Sequence, residues 1–219
     1  MLHDKIDKQQ RLLFMKWNRG APMSTLVVKS VPRRARRSAD AKREEVVRVA
    51  LSIFSRAGYD AVGLREIAAA AEIDAAMIVR LFGSKAGLFT AVISQAFGDE
   101  PLLDSPIDEL GALLAAYLTA PREPEREETE PNDLLLLLRS AASVTAAPLL
   151  SVALHEKFIG GLAKHFTGPD REVRAALIAA QVLGFATLRF ALGSELFENG
   201  PQDRTRQLLA AAIQSVIEG

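Results

Sequence analysis

Between Ala75 and Lys85 the chain places side chains suited to recognition rather than to bond-making. Arg80 carries a guanidinium fork that can donate two parallel hydrogen bonds to a planar acceptor edge such as that of guanine. Ala75, Ala76, Met77 and Val79 offer the apolar contacts that a thymine methyl accepts. Lys85 follows Ser84 at what reads as a helix start, where unpaired backbone N–H groups and an ammonium together can hold a phosphate. Phosphate contacts of that kind set register without reading sequence. The parts of an active site are missing from the sequence. It has no cysteine, no G-x-S-x-G, no H-E-x-x-H and no glycine-rich phosphate loop, so an enzyme is the weaker reading. His155 and His165 lie ten residues apart on one expected helix, not at the i,i+4 spacing that puts two imidazoles on one metal, and His3 stands in the N-terminal segment. Neither a metal nor a cofactor is expected.

The elements that must position these residues are legible nearby. Residues 64–92, LREIAAAAEIDAAMIVRLFGSKAGLFTAV, read as two short helices joined by a tight turn, followed by a third that opens on Ser-Lys. Ile67, Ala68 and Ala71 form one stripe of the first, where small alanines let a second helix cross closely. Asp74 supplies the N-cap of the next helix. Within it Ile78 and Phe82, at i,i+4, turn inward and leave Ala75, Ala76, Met77, Val79 and Arg80 outward. Upstream, residues 41–57 keep Val46, Val49, Ala50, Ile53 and Phe54 on one face, and Gly58 stands where a left-handed cap is wanted. Downstream, Ser84 caps a helix carrying Leu88, Phe89, Val92 and Ile93. A helix pair of this form can present one helix to a DNA major groove.

In this order of motifs the segment 41–93 resembles the TetR family of bacterial one-component transcriptional regulators. The resemblance runs through Gly58-Tyr59, Ile67-Ala68, Ala71-x-Ile73, Phe82-x-Ser84-Lys85 and Leu88-Phe89. It implies an all-α protein: an N-terminal three-helix helix-turn-helix DNA-binding domain over 38–98, then a helical effector-binding and dimerisation domain over 99–219. It also implies a regulator, most simply a repressor released from a palindromic double-stranded DNA operator by a small effector. A member with weakened operator binding that acts through protein contacts is the alternative. This sequence departs from the family pattern at several points. Glu72 and Ala76 stand where glycines are usual, Val79 and Leu81 where aromatic phosphate-contacting residues are frequent, and Gly63 where a capping threonine is common. A carboxylate in the turn and fewer hydroxyls near the backbone both weaken phosphate contact.

With so apolar a reading helix, further affinity is expected from the run VPRRARRSADAKR. Its Arg33, Arg34, Arg36 and Arg37 read as a flexible basic arm able to track phosphates or enter a minor groove, and Lys42 and Gly63 complete the candidate DNA-facing set. The alternative is a solvated tail. Residues 1–37 read as a disordered basic extension, with Met23 a possible start of translation.

The 219 residues carry no net charge, yet the halves differ. Residues 1–98 hold 17 Lys and Arg against 9 Asp and Glu, and residues 99–219 hold 10 against 18. Such a split suits a protein in which one domain approaches nucleic acid. The absence of cysteine fits a reducing cytoplasm. No apolar run, Leu134 to Leu138 among them, reaches membrane-spanning length, so no membrane partner is expected.

Beyond Gly98, helices are expected at about 105–119, 132–146, 148–166, 170–192 and 202–217, with the acidic, proline-rich PREPEREETEP as a solvated loop. By the resemblance the last two helices pair with their copies in a homodimer, through Ala175, Ile178, Ala179, Val182, Leu183, Ala186 and Phe190 on one, and Leu208, Leu209, Ala212, Ile213 and Val216 on the other. Gly184 would let them approach closely. The resemblance also implies an effector pocket. Its candidate liners are Leu113, Tyr117, Leu138, Phe158, Leu162, Phe185 and Arg189, suited to an apolar effector with at most one anionic or polar group. The helix from Lys85 to Phe97 joins the two domains and is the expected lever between them.

Overall fold

The computed structural model describes residues 33–97, 105–121 and 132–219, with side chains described from Asp40 onward. The expectations for residues 1–32 and for most of the acidic loop lie outside the described residues. Within them every regular element is helical. They fall into two packing units, one comprising residues 33–97 and 132–150, the other residues 105–121 and 151–219.

In the first unit, α1 (Arg33–Ala57), α2 (Leu64–Ala70), α3 (Ala75–Phe82) and α4 (Lys85–Ala96) surround a core that includes Val46, Ala50, Phe54, Ile67, Ile78, Leu88, Phe89 and Val92. Helix α1 starts earlier than amphipathicity alone suggests. The basic run at Arg33, Arg34, Arg36 and Arg37 is helical, which corrects the expected flexible arm. Alanine and arginine are strong helix formers, and a helix already nucleated at Val46 extends through them.

A fifth helix joins this unit although chain order assigns it to the second half. Helix α6 (Asp133–Ser140) packs along α1 and buries Leu134, Leu136 and Leu137. Its end is bonded to the end of α1: Arg139 Nη1 donates to the carbonyls of Ser55 at 2.8 Å and Arg56 at 2.5 Å, and the Tyr59 amide donates to Ser140 Oγ at 3.1 Å. Close approach here requires glycine at position 58. That residue has φ +78°, and a Cβ on it would stand 2.6 Å from the Arg139 carbonyl oxygen. Chain order alone, which draws the domain boundary at 98/99, does not carry these contacts. Helix α7 (Ala146–Ala153) contributes Ala146 and Leu150 to the same core.

The second unit contains α5 (Ile107–Thr119), the remainder of α7, α8 (Arg171–Ala186), the short α9 (Glu195–Asn199), which sequence periodicity did not indicate, and α10 (Gln202–Glu218). Helix α5 packs along α10, and arginines cap the C-terminal ends of both. Arg174 donates to the carbonyls of Val216, at 3.0 Å, and Ile217. Arg189 donates to the carbonyls of Leu118 and, at 2.7 Å, Ala120. Helices α7 and α8 each run into a π-helical turn, Leu154–Ile159 and Thr187–Ala191.

By length and composition the continuous helix Arg171–Ala191 is apolar enough to cross a bilayer, contrary to the reading from uninterrupted runs. Gln181, Thr187 and the small residues break the run without making the helix polar. Its apolar surface is divided between two sides. Ala175, Ile178, Ala179, Val182, Phe185 and Ala186 are buried within the unit, whereas Val173, Leu177, Ala180, Gly184 and Leu188 form an exposed stripe at three- and four-residue spacing. Helix α10 repeats the pattern, with Ile213 and Ile217 buried and Leu208, Ala211 and Ser215 exposed. The stripes therefore differ from the expected dimer set, much of which is intramolecular core.

Candidate nucleic-acid interface

Helix α3 is held at both ends. At its start Asp74 accepts a 2.8 Å hydrogen bond from the Ala76 amide, as its N-cap position requires. At its end Arg43 of α1 reaches across: its Nη1 donates to the Leu81 carbonyl at 2.6 Å, and its guanidinium lies 4.3 Å from the Phe82 ring centroid. A cation at a helix C-terminus satisfies carbonyls that have no partner within the helix and opposes the negative end of the macrodipole. This residue was not legible as functional, because its partner is 38 residues away and nothing in local spacing signals it.

Between these ends Ile78 is fully buried, as its spacing predicts, while Phe82 is half-buried under Arg43. Ala76, Val79 and Arg80 are exposed, and Ala75 and Met77 are half-buried. Arg80 Nη2 lies 2.7 Å from Met77 Sδ, a contact that orients the guanidinium along the helix face. The outward surface of α3 is thus small and apolar with one cation.

The turn before α3 is closed by a Schellman motif. The Ile73 amide donates to the Ala68 carbonyl at 2.9 Å and the Glu72 amide to Ala69 at 3.2 Å. Glu72 therefore occupies the left-handed position, with φ +52°, and it is the one non-glycine residue with positive φ among the described residues. An L side chain there costs about 1 kcal/mol relative to glycine. Glu72 is exposed, as are Glu66 and the capping Asp74, so the turn and its flanks carry three carboxylates.

The start of α4 follows α3 closely. Ser84 Oγ accepts from the Gly87 amide at 3.0 Å. A Cβ at Gly87 would stand 2.1 Å from the Phe82 carbonyl oxygen, so only glycine permits this crossing. Lys85 is half-buried and its Nζ lies 4.2 Å from the Tyr59 ring centroid. Tyr59 is itself packed edge-on against Phe89 at 4.9 Å, and burial pushes its phenol pKa up, with the Asp60 carboxylate adding to the rise. Gly63 precedes α2 without a side-chain cap. Lys42 is exposed on α1, and Arg33, Arg34, Arg36 and Arg37 lie in its first turns.

With that geometry in place, the chain can be compared with known proteins. Residues 46–92 match the model of bacterial regulatory proteins of the tetR family, and residues 108–217 match the tetracyclin repressor-like C-terminal domain. The chain belongs to the TetR family. It is accordingly a TetR-family transcriptional regulator, and regulators of this family bind DNA and are not enzymes. Solved structures similar in fold include a TetR-family regulator of Streptomyces coelicolor A3, with 21% identity, TM-score 0.50, and coverage of 82% of this chain and 96% of that one. Salmonella enterica GusR is similar at 18% identity and TM-score 0.58, covering 82% and 96% of the two chains. A transcriptional regulator of Aquifex aeolicus VF5 is similar at 17% identity and TM-score 0.54, covering 80% and 99%. No curated protein matches the chain.

In this TetR-family chain the expected effector liners divide. Leu113, Phe158, Leu162 and Phe185 are buried and Tyr117 is half-buried in the second unit, where α5, the π turn of α7 and α8 pack together. Leu138 belongs to the first unit. Arg189 lies in the same unit as the buried liners and is 2% exposed, with its guanidinium on backbone carbonyls of residues 118 and 120.

Proposed function

We propose that the protein is a cytoplasmic repressor that binds a two-fold operator as a homodimer and leaves it when a small, mostly apolar effector binds. The supporting observation is the surface of α3: a helix capped by Asp74 and clamped by Arg43, with Ala76, Val79 and Arg80 outward. Arg80 reads a guanine, the apolar residues meet thymine methyls, and Lys85 with the start of α4 contacts the backbone.

Two reading heads one DNA turn or a multiple apart require two copies of the chain. The exposed stripes of α8 and α10 suit a second copy. Val173, Leu177, Leu188 and Leu208 are 61%, 51%, 46% and 54% exposed, and the small residues Ala180, Gly184 and Ala211 among them allow close helix crossing.

The effector enters among Leu113, Tyr117, Phe158, Leu162 and Phe185. Two π turns in this unit support the reading, because such turns recur where a helix has been adapted to a site. Arg189 already serves the end of α5, so the effector needs no anionic group to meet it. Helix α4, which leads from the reading head towards the second unit along the chain, carries the displacement. Exposed Glu66 and Glu72 favour a second reading, a regulator with weak operator affinity that acts through protein contacts.

Mobility shift of genomic fragments by the full chain in the presence of random competitor DNA separates the readings. Retention of a few fragments sharing an inverted repeat supports the repressor. Uniform binding that vanishes with salt, or no shift, overturns it.

A further inference from the structure

Among the described residues sulfur occurs in one side chain. The chain has no cysteine, and of its four methionines Met1, Met15 and Met23 precede the described residues, which leaves Met77 on the reading helix. Met77 is half-buried on α3, and its thioether is the acceptor that holds Arg80, whose Nη2 stands 2.7 Å from Sδ. Arg80 is the one cation of α3 and is exposed. No other side chain of α3 can accept a hydrogen bond, so nothing else on the helix competes for the guanidinium. The group suited to reading guanine therefore rests on the one readily oxidised atom beside it.

A thioether is a weak acceptor, so in the reduced protein the guanidinium leaves the sulfur at little cost and presents its fork to a base edge. A peroxide changes that balance. Its O–O bond breaks, one oxygen forms an S–O bond with Sδ and the other leaves as water, the sulfur losing the two electrons that the peroxide gains. The sulfoxide is polar, and its oxygen accepts a charge-assisted hydrogen bond from a guanidinium, stronger than a bond between neutral groups. The fork is then held along the helix, where it cannot give two parallel bonds to guanine. At the same place a side chain suited to a thymine methyl turns polar.

We infer that Met77 is an oxidation site whose sulfoxide latches Arg80 and lowers preference for the operator, and whose reduction restores it. This rests on the operator-binding reading above, and adds to it a redox input separate from an effector in the second unit.

The test treats full-length wild type and Met77→Leu with hydrogen peroxide, removes the oxidant, and titrates each on a duplex that untreated wild type selects from genomic fragments and on a scrambled duplex. Leucine keeps the apolar volume without the sulfur. Peptide mass mapping should show one added oxygen on the wild-type peptide containing Met77. Affinity for the selected duplex should fall roughly 5- to 150-fold, the span of a lost bidentate base contact, with little change on the scrambled one. Methionine sulfoxide reductases acting on both epimers should return it. Treated Met77→Leu, which keeps Met1, Met15 and Met23 as oxidisable controls, should bind as it does untreated. Met77→Gln, with a polar acceptor of similar reach, should lose the preference without oxidant. Unaltered preference in protein shown to carry the Met77 sulfoxide, or an equal loss in treated Met77→Leu, overturns the latch while leaving operator binding intact. So does a Met77 that stays reduced after the other methionines are oxidised. If untreated wild type selects no duplex, the operator reading falls and the latch falls with it.

Discussion

Arg139 and Arg56 stand 83 residues apart in the chain, and the Nη1 of the first donates a 2.5 Å hydrogen bond to the backbone carbonyl of the second. The same nitrogen serves the Ser55 carbonyl, so one guanidinium closes the end of α1 from outside the family's DNA-binding segment. Arg139→Ala should cost about 1–2 kcal/mol, since carbonyls at a helix end lose a charged donor. Gly58→Ala should cost at least as much, because a left-handed φ and a collision with the Arg139 carbonyl act together. Denaturant unfolding of the full chain checks both. Stability unchanged by Arg139→Ala would mean that the cap is replaced by water.

Glu72→Gly should stabilise the protein by roughly 0.5–1 kcal/mol, the relief of left-handed strain exceeding the added freedom of the unfolded chain. It also removes a carboxylate from the turn before α3, so DNA affinity should rise at low salt. Ala at the same position should raise affinity without the gain in stability. Thermal unfolding and DNA titration together separate charge from backbone strain.

Arg80→Ala should blur preference at one base pair, with a loss of about 1–3 kcal/mol on the preferred duplex and little on random DNA. Lys85→Ala should weaken binding to all duplexes alike, and because its ammonium also lies on Tyr59 it should lower stability by about 0.5–1 kcal/mol. Parallel loss on preferred and random DNA in both variants would contradict the division of labour.

Leu177→Glu combined with Leu208→Glu should yield a monomer in sedimentation analysis, since the exposed stripes of α8 and α10 would then bury charges against their copies. Operator affinity should fall at least tenfold, as two linked heads become independent. A variant that remains dimeric places the subunit contact elsewhere.

Tyr59 sets an alkaline limit. Its phenol pKa is raised by burial and then by Asp60, so the folded state holds the proton more tightly than the unfolded one. The associated stability is full below the ordinary tyrosine pKa of about 10 and is lost as pH rises through the folded value. Absorbance titration should show a phenolate that appears late and belongs to Tyr59. Tyr59→Phe should abolish that phase and flatten the stability profile above about pH 10.

The local pattern alone determined the reading head. Ile67, Ala68, Ile78, Leu88 and Phe89 are buried as their helical spacing requires, and Asp74 and Ser84 cap the helices they precede, because periodicity and capping act within a few residues of chain. Only tertiary structure decided what depends on distant partners. Arg43 meets α3, Lys85 lies on Tyr59, Arg189 secures α5, and Arg139 and Ser140 bring α6 into the DNA-binding unit, all through groups remote in sequence or on different elements. The two sides of α8 were likewise indistinguishable in composition. Both are apolar, and hydrophobicity records that a residue leaves water without naming the surface that covers it.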